Sequence, residues 1–207
     1  MTNRLNASSY HRNIDAIGSV VTGVLEGKSG HLLEIGSGTG QHITALAAQL
    51  PNITFWPSDP EQTSRDSTDA WAQHLQLENV KSASLIDGSS QDWGLGKDKL
   101  PPTGLTAIQC FNVIHISPWP VALGLLKSAS QHLRTGGHLI LYGPYKVDGE
   151  HIGQGNIDFD LSLRNRNSEW GIREIEAVES EAKKLGLSLQ AFEKMPANNF
   201  MPVFIKT

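Results

Sequence analysis

The chain reads as an α/β protein, a doubly wound and mostly parallel sheet of seven strands that closes in an antiparallel hairpin. Three observations predict this. First, apolar Leu32, Leu33 and Ile35 run into Gly36, Gly38 and Gly40, and helical spacing follows at once with Ile43, Leu46, Ala47 and Leu50. That is a buried strand, a tight turn and an amphipathic helix in succession. Second, short apolar runs and amphipathic stretches alternate along the chain, the pattern of parallel strands joined by crossover helices. Third, the last two apolar runs, 187–192 and 203–205, are joined too closely for a crossover, so they pair antiparallel.

Each element follows in order. Ile14, Ile17, Val20, Val21, Val24 and Leu25 predict a helix over 11–26, stopped by Gly27. After the first strand and helix, 53–56 reads as a second strand ending at Pro57-Ser58-Asp59, and a polar helix covers about 61–75. Residues 80–86 read as a third strand ending at Asp87-Gly88, and 88–104 as a loop rich in Gly and Pro. The apolar run 105–111 is a fourth, buried strand. Ser117-Pro118 opens a helix with the stripe Val121, Leu125, Ala129 and Leu133, closed by Gly136. Residues 138–142 form a fifth strand. Residues 143–170 read as a long polar loop, and loops of that length in compact domains usually carry function. Ile172, Ile175, Val178, Ala182 and Leu185 mark a last helix. The organisation expected is one domain over 1–207, with a helical N-terminal segment (1–27) and a lid (143–170).

Composition narrows the function. Net charge is −4 with mixed signs, so nucleic-acid binding has little support. The one cysteine, Cys110, lies in an apolar run and forms no internal disulfide, which fits a cytoplasmic setting. No apolar stretch approaches membrane-spanning length, and the scattered histidines show no metal-type spacing, so neither a membrane nor a metal is expected. Oligomeric state has no signature in the sequence.

In an open α/β sheet, ligands bind outside the carboxyl ends of the strands. That rule selects 36–40, Asp59, Asp87-Gly88, 112–117, 143–170 and 195–199. A dinucleotide fingerprint needs Gly-x-Gly-x-x-Gly, but its third glycine would fall on Gln41. The spacing present is Gly-x-Gly-x-Gly with Glu34 two residues ahead. A pyrophosphate is poorly served by that carboxylate, whereas an ammonium and a sulfonium are well served. The segment Glu34-Ile35-Gly36-Ser37-Gly38-Thr39-Gly40 resembles motif I of the class I S-adenosylmethionine-dependent methyltransferases.

The resemblance extends further. Arg12-Asn13, Glu34 to His42, Trp56 to Asp59, Asn112 to Pro118, Tyr142 to Tyr145, Asn156, Asp158 to Asp160, Leu163-Arg164, Arg166, Glu169 to Gly171 and Met195 to Asn199 resemble the small class I family catalogued as domain of unknown function 938, which has methyltransferase-like protein 26 as its animal member. The resemblance implies a Rossmann-like fold and S-adenosylmethionine as donor, with S-adenosylhomocysteine as product. It supplies no substrate. Departure from the Asn/Asp-Pro-Pro-aromatic signature after Asn112 argues against nucleic-acid and glutamine amino-methylation.

The expected donor site comprises Glu34, Gly36, Ser37, Gly38 and Gly40, with Asp59 for the ribose hydroxyls, Asp87 and Gly88 for the adenine, and Asn112 beside the transferable methyl. Asp59 would alternatively cap the following helix, and Asp87-Gly88 could be a plain turn. Trp93 could wall the adenine or fill the core. Candidates to take a proton from the acceptor are Tyr145, His115, Asp158 and Asp160, though His115 equally suits a place tucked beneath the next helix. Arg12, Tyr142, Asn156, Arg164, Arg166, Asn198 and Asn199 are the candidate substrate contacts. Aspartates would meet an ammonium and arginines a carboxylate of a small polar acceptor, although part of this set could lock the lid by internal ion pairs. The function expected is direct in-line methyl transfer. The alternatives are a donor-binding regulatory or interaction protein without catalysis, and a protein or peptide methyltransferase; a nicotinamide oxidoreductase fits worst.

Overall fold

The computed structural model describes residues 3–90, 92–97 and 99–207. Its elements are α1 (Tyr10–Leu25), β1 (Gly30–Ile35), α2 (Gln41–Gln49), β2 (Ile53–Ser58), α3 (Gln62–His74), β3 (Leu105–Phe111), α4 (Trp119–His132), β4 (Leu133–Val147), β5 (Glu150–His151), α5 (Gln154–Arg166), β6 (Arg173–Glu174), α6 (Ile175–Lys184), β7 (Leu187–Met195) and β8 (Asn199–Lys206). The main path of the sheet runs β2-β1-β3-β4-β8-β7. Strands β2, β1, β3 and β4 are mutually parallel, and β8 is antiparallel to both β4 and β7. The fold is thus the mostly parallel α/β sheet with a closing antiparallel hairpin that the sequence predicts.

Two apolar layers flank the sheet because the central strands are buried on both faces; β3 is buried at all 7 positions. One face sets Leu33, Ile35, Ile108 and Leu139 against Leu125 and Ala129 of α4 and Val178 and Ala182 of α6. The other sets Leu32, Phe55, Ala107 and Ile140 against Ile17 and Val21 of α1 and Ile43 and Leu46 of α2. Among the described residues no helix is long and apolar enough to cross a membrane.

Two segments differ from expectation. Residues 80–86 do not form a continuous strand: beyond β2 there are two single bridges, Phe55 with Val80 and Ser58 with Ser84. The edge partner, β2, contains Pro57, which has no N–H for a ladder, and the 81–84 segment is polar. The region 143–170 is not a long loop. β4 extends to Val147, β5 turns back on it, and 13 residues form α5. The inward positions of α5 are Asn156, Asp160 and Leu163, at helical spacing but two-thirds polar. Its apolar residues Ile157, Phe159 and Leu161 alternate in sequence and are exposed, so hydrophobic periodicity gives no helical signal there.

Candidate functional site

The glycine turn after β1 is clamped to the end of β2. The Gly36 and Ser37 N–H groups both donate to the Ser58 carbonyl at 2.9 Å. Ser58 returns its N–H to Ser37 Oγ (3.1 Å) and its hydroxyl to the Glu34 carbonyl (2.6 Å). Beyond the turn, Asp59 uses both carboxylate oxygens. Oδ2 accepts the Gly38 N–H at 2.9 Å, and Oδ1 accepts the Glu61 N–H at 2.9 Å ahead of α3. Asp59 thus braces the segment leading into α3 and ties it to the glycine turn, while the N-cap of α3 itself is Glu61, not Asp59.

The glycines divide the work. Gly40 has φ +81°, and a Cβ there would lie 2.5 Å from the Thr68 backbone, so this glycine lets α3 pack closely. Gly38 has φ +55°, and a Cβ there would meet nothing within 4 Å. Gly38 is half-buried and has open space in front of it. Glu34 lies beneath the turn, 2% exposed, with Oε1 accepting a hydrogen bond from Gln109 Nε2 at 2.8 Å. Burial pushes its carboxyl up to about 7, against the Ser37 and Gln109 side chains, which favour the carboxylate, and with Asp59 adding to the rise.

Further along the carboxyl edge, Asp87 is exposed, and its Oδ1 accepts the N–H (2.8 Å) and hydroxyl (2.7 Å) of Ser89. Gly88 is buried against Ile35. Trp93 belongs to the core, stacked on His132 at 6.2 Å. Asn112 is exposed in the left-handed region (φ +62°), and its N–H donates to the Tyr142 carbonyl at 2.7 Å, joining the ends of β3 and β4. A strap that the sequence reading did not foresee crosses near the turn. Ala7 N–H donates to Gln41 Oε1 (2.7 Å), Leu5 N–H to Ser67 Oγ (2.8 Å) and Trp71 Nε1 to the Leu5 carbonyl (2.9 Å). Single polar residues make these bonds across long sequence separations, so no local pattern announces them. Arg12, at the start of α1, is exposed and donates to the Ser8 carbonyl at 3.1 Å.

On the other side of the edge, the polar residues largely find one another. Tyr142 is buried, and its hydroxyl accepts from Asn13 Nδ2 at 3.3 Å; Asn13 Oδ1 accepts in turn from His42 Nε2 at 2.9 Å. Burial lowers the His42 pKa to about 4, which keeps that ring neutral. Tyr145 and His115 are buried edge to face, ring centres 5.0 Å apart, on the opposite sheet face from Tyr142. The His115 pKa falls to about 3, first through burial and then through the Arg173 charge, while burial raises that of Tyr145 well above its ordinary value. Neither side chain reaches solvent in this arrangement.

Asp160 is an internal hub. Its Oδ1 accepts the Ile172 N–H at 2.6 Å, and its Oδ2 faces Arg164 Nε at 3.0 Å and His151 Nε2 at 3.5 Å. Burial works against its ionisation, but the Ile172 N–H and Arg164 hold the pKa below the usual value. Asn156 Nδ2 donates to the Asn198 carbonyl at 3.0 Å, seating α5 on the turn between β7 and β8, where Asn199 Nδ2 donates to the Pro196 carbonyl at 2.9 Å. Arg166 lies over the Trp170 ring at 5.0 Å. Asp158 is exposed and accepts from Gln154 Nε2 at 2.8 Å. Arg173, not singled out in the sequence, donates to the carbonyls of Ile114 (3.0 Å), Glu169 (3.0 Å) and Ser117, and so binds the segment after β3 to the one before β6.

The family model described as "Protein of unknown function (DUF938)" matches residues 4–206, and the chain belongs to that family. Solved structures share its fold. An O-methyltransferase family protein from Burkholderia thailandensis superimposes with a TM-score of 0.74 at 14% identity, covering 93% of this chain and 56% of its own. Mitomycin 7-O-methyltransferase MmcR gives 0.74 at 12% identity, with coverages of 94% and 54%. PigF with SAH gives 0.69 at 18% identity, with coverages of 85% and 50%. The chain spans about half the length of each. At these identities the likeness bears on the fold, which is that of the class I methyltransferases.

Proposed function

We propose that this member of the family is an S-adenosylmethionine-dependent methyltransferase of the methyltransferase-like protein 26 type, one domain over 1–207 acting in the cytoplasm on a small polar molecule. The observation that carries this reading is the pairing of Gly38 with Asp59. A carboxylate fixed at 2.9 Å from the turn's N–H stands beside a glycine with open space in front of it. Each carboxylate oxygen has two lone pairs, so Asp59 keeps capacity for a ribose diol after its two backbone bonds. Asp87 and Gly88 would flank the adenine, and Asn112 the methionyl part, with Gly36, Ser37 and Gly40 shaping the turn.

The bound sulfonium supplies an already activated methyl group, so the chain's task is alignment at near-attack distance. The turn and Asp59 hold one end of the donor, while α5 and the 195–199 turn form the wall from which the acceptor would be oriented. Of the four candidate bases, Asp158 is the one with its carboxylate in solvent. Tyr145 and His115 would need the wall to open, and Asp160 is held by Ile172 and Arg164. Arg12, Tyr142, Asn156, Arg164, Arg166, Asn198 and Asn199 line or brace that side. The test is a calorimetric titration with S-adenosylmethionine, S-adenosylhomocysteine and NAD. Binding of the first two and not the third is expected; binding of NAD alone would overturn the reading.

A further inference from the structure

Glu34 and Gln109 are register partners on the adjacent parallel strands β1 and β3. Neighbouring strands lie about 4.8 Å apart, so the two side chains stand abreast on one face. Gln109 Nε2 donates to Glu34 Oε1 at 2.8 Å, and the remaining oxygen of each, Glu34 Oε2 and Gln109 Oε1, is buried with no hydrogen-bond partner among the described residues. Two bare buried acceptors side by side are costly, because each has lost water and gained nothing. One proton on Glu34 Oε2 satisfies both: its O–H donates to Gln109 Oε1 and closes a two-bond ring between acid and amide.

The surroundings favour that neutral form. β3 supplies the Cys110 thiol, whose pKa burial raises above the ordinary value. The glycine turn supplies Ser37, whose side chain favours the carboxylate but is outweighed by burial, and the end of β2 supplies Asp59, a like charge that opposes ionisation of Glu34. α1 and α2 cover this face of the sheet; their buried polar side chains at this end include Asn13, Gln41 and Thr44, and the ring of His42 is held neutral. No cation in this set compensates a buried carboxylate.

Resting on the proposed donor, we propose that Glu34 is a neutral acid in the ligand-free protein, positioned by Gln109, and that it releases its proton to the buffer when the sulfonium donor binds above it. S-adenosylmethionine carries one more positive charge than its thioether product. The pair therefore sits where it discriminates donor from product by charge, with Gln109 as the positioning residue. In the balance, the O–H bond of Glu34 breaks, the proton leaves to solvent, and the carboxylate keeps the Gln109 N–H bond.

Two arms test this, and they fail separately. In the ligand-free arm, the folded protein holds a proton on Glu34 between about pH 4.3 and 7 that the unfolded chain has given up. Wild type must then lose stability relative to E34Q, whose amide mimics the neutral acid, as pH rises through that window. A melting-temperature gap widening by about 10 °C in favour of E34Q is expected, and parallel profiles would overturn the neutral pair. Should E34Q not fold, infrared spectroscopy of wild type decides the same point by the presence or absence of a buried protonated-carboxyl band near pH 6. In the ligand arm, calorimetry near pH 6 in buffers of different ionisation enthalpy should show release of close to about one proton with S-adenosylmethionine and clearly less with S-adenosylhomocysteine. Binding of both with equal or no proton release overturns the charge discrimination. Binding of neither overturns the donor reading, while the first arm still decides the neutral pair.

Discussion

The two sides of the carboxyl edge are built on opposite plans. On the proposed donor side, from Glu34 to Asp59, polar groups bond mainly to backbone: Ser58 to the glycine turn, Asp59 to Gly38 and Glu61. The chain is fixed, and space is left in front of Gly38. On the proposed acceptor side, side chains are spent on one another: Asp160 with Arg164 of the same helix and with His151, Arg166 with Trp170, and, from a distant segment, Tyr142 with Asn13. A site for a fixed ligand can be written as a short contiguous motif. The α5 side draws its rigidity from side-chain pairs, three of the four within ten residues of each other in sequence.

The hardest test of the donor side sets two of its glycines against each other. Gly40→Ala combines a left-handed φ with a contact 2.5 Å from the Thr68 backbone. It should cost about 2–4 kcal/mol, strain and overpacking together. Gly38→Ala adds a methyl to open space and should cost about 1 kcal/mol of stability, yet it should weaken S-adenosylmethionine binding. Denaturant melts paired with calorimetry separate the two. Equal stability losses would mean that the turn is only a packing device.

Asp59→Ala removes the hinge between turn and α3. Donor affinity should fall about 10- to 100-fold, matching the roughly 1.5–3 kcal/mol carried by hydrogen bonds to a charged group. Unchanged affinity in calorimetry would leave Asp59 as a brace alone.

The unequal legibility of the two sides has a physical cause. The strand, turn and helix from 31 to 50 carry their periodicity locally, and strand-end position then points to Asp59. Residues 80–86 make only two single bridges, because the middle of that run is polar and the neighbouring Pro57 has no N–H to donate. α5 has no hydrophobic signal because its buried face is Asn156, Asp160 and Leu163, a burial pattern invisible to a hydrophobicity count. Nothing near Gln109 or Arg173 in sequence hints at Glu34 or at the Ile114 carbonyl; strand register and chain crossing bring them together.

On the acceptor side, Asp160→Asn keeps an acceptor for the Ile172 N–H but loses the charge facing Arg164. A stability loss of about 1 kcal/mol near neutral pH is expected, with donor affinity unchanged. The folded carboxyl sits below its unfolded pKa, so its contribution is present above that value and fades as pH falls through it. The gap between wild type and variant should therefore close below about pH 4. A gap independent of pH would assign the loss to packing.

The smallest effect asks whether the wall's outer pairs belong to the wall alone. Arg166 is exposed and its guanidinium lies 5.0 Å from the Trp170 ring centre. An exposed cation over a half-buried ring contributes about 0.5 kcal/mol, so Arg166→Ala should lower stability by about that much and leave S-adenosylmethionine affinity unchanged. Lysine at this position would retain charge and part of the ring contact, restoring most of the loss. If Arg166→Ala instead weakens donor binding while stability holds, the arginine reaches across the edge, and the division between a backbone-built donor side and a side-chain-built wall breaks at that residue.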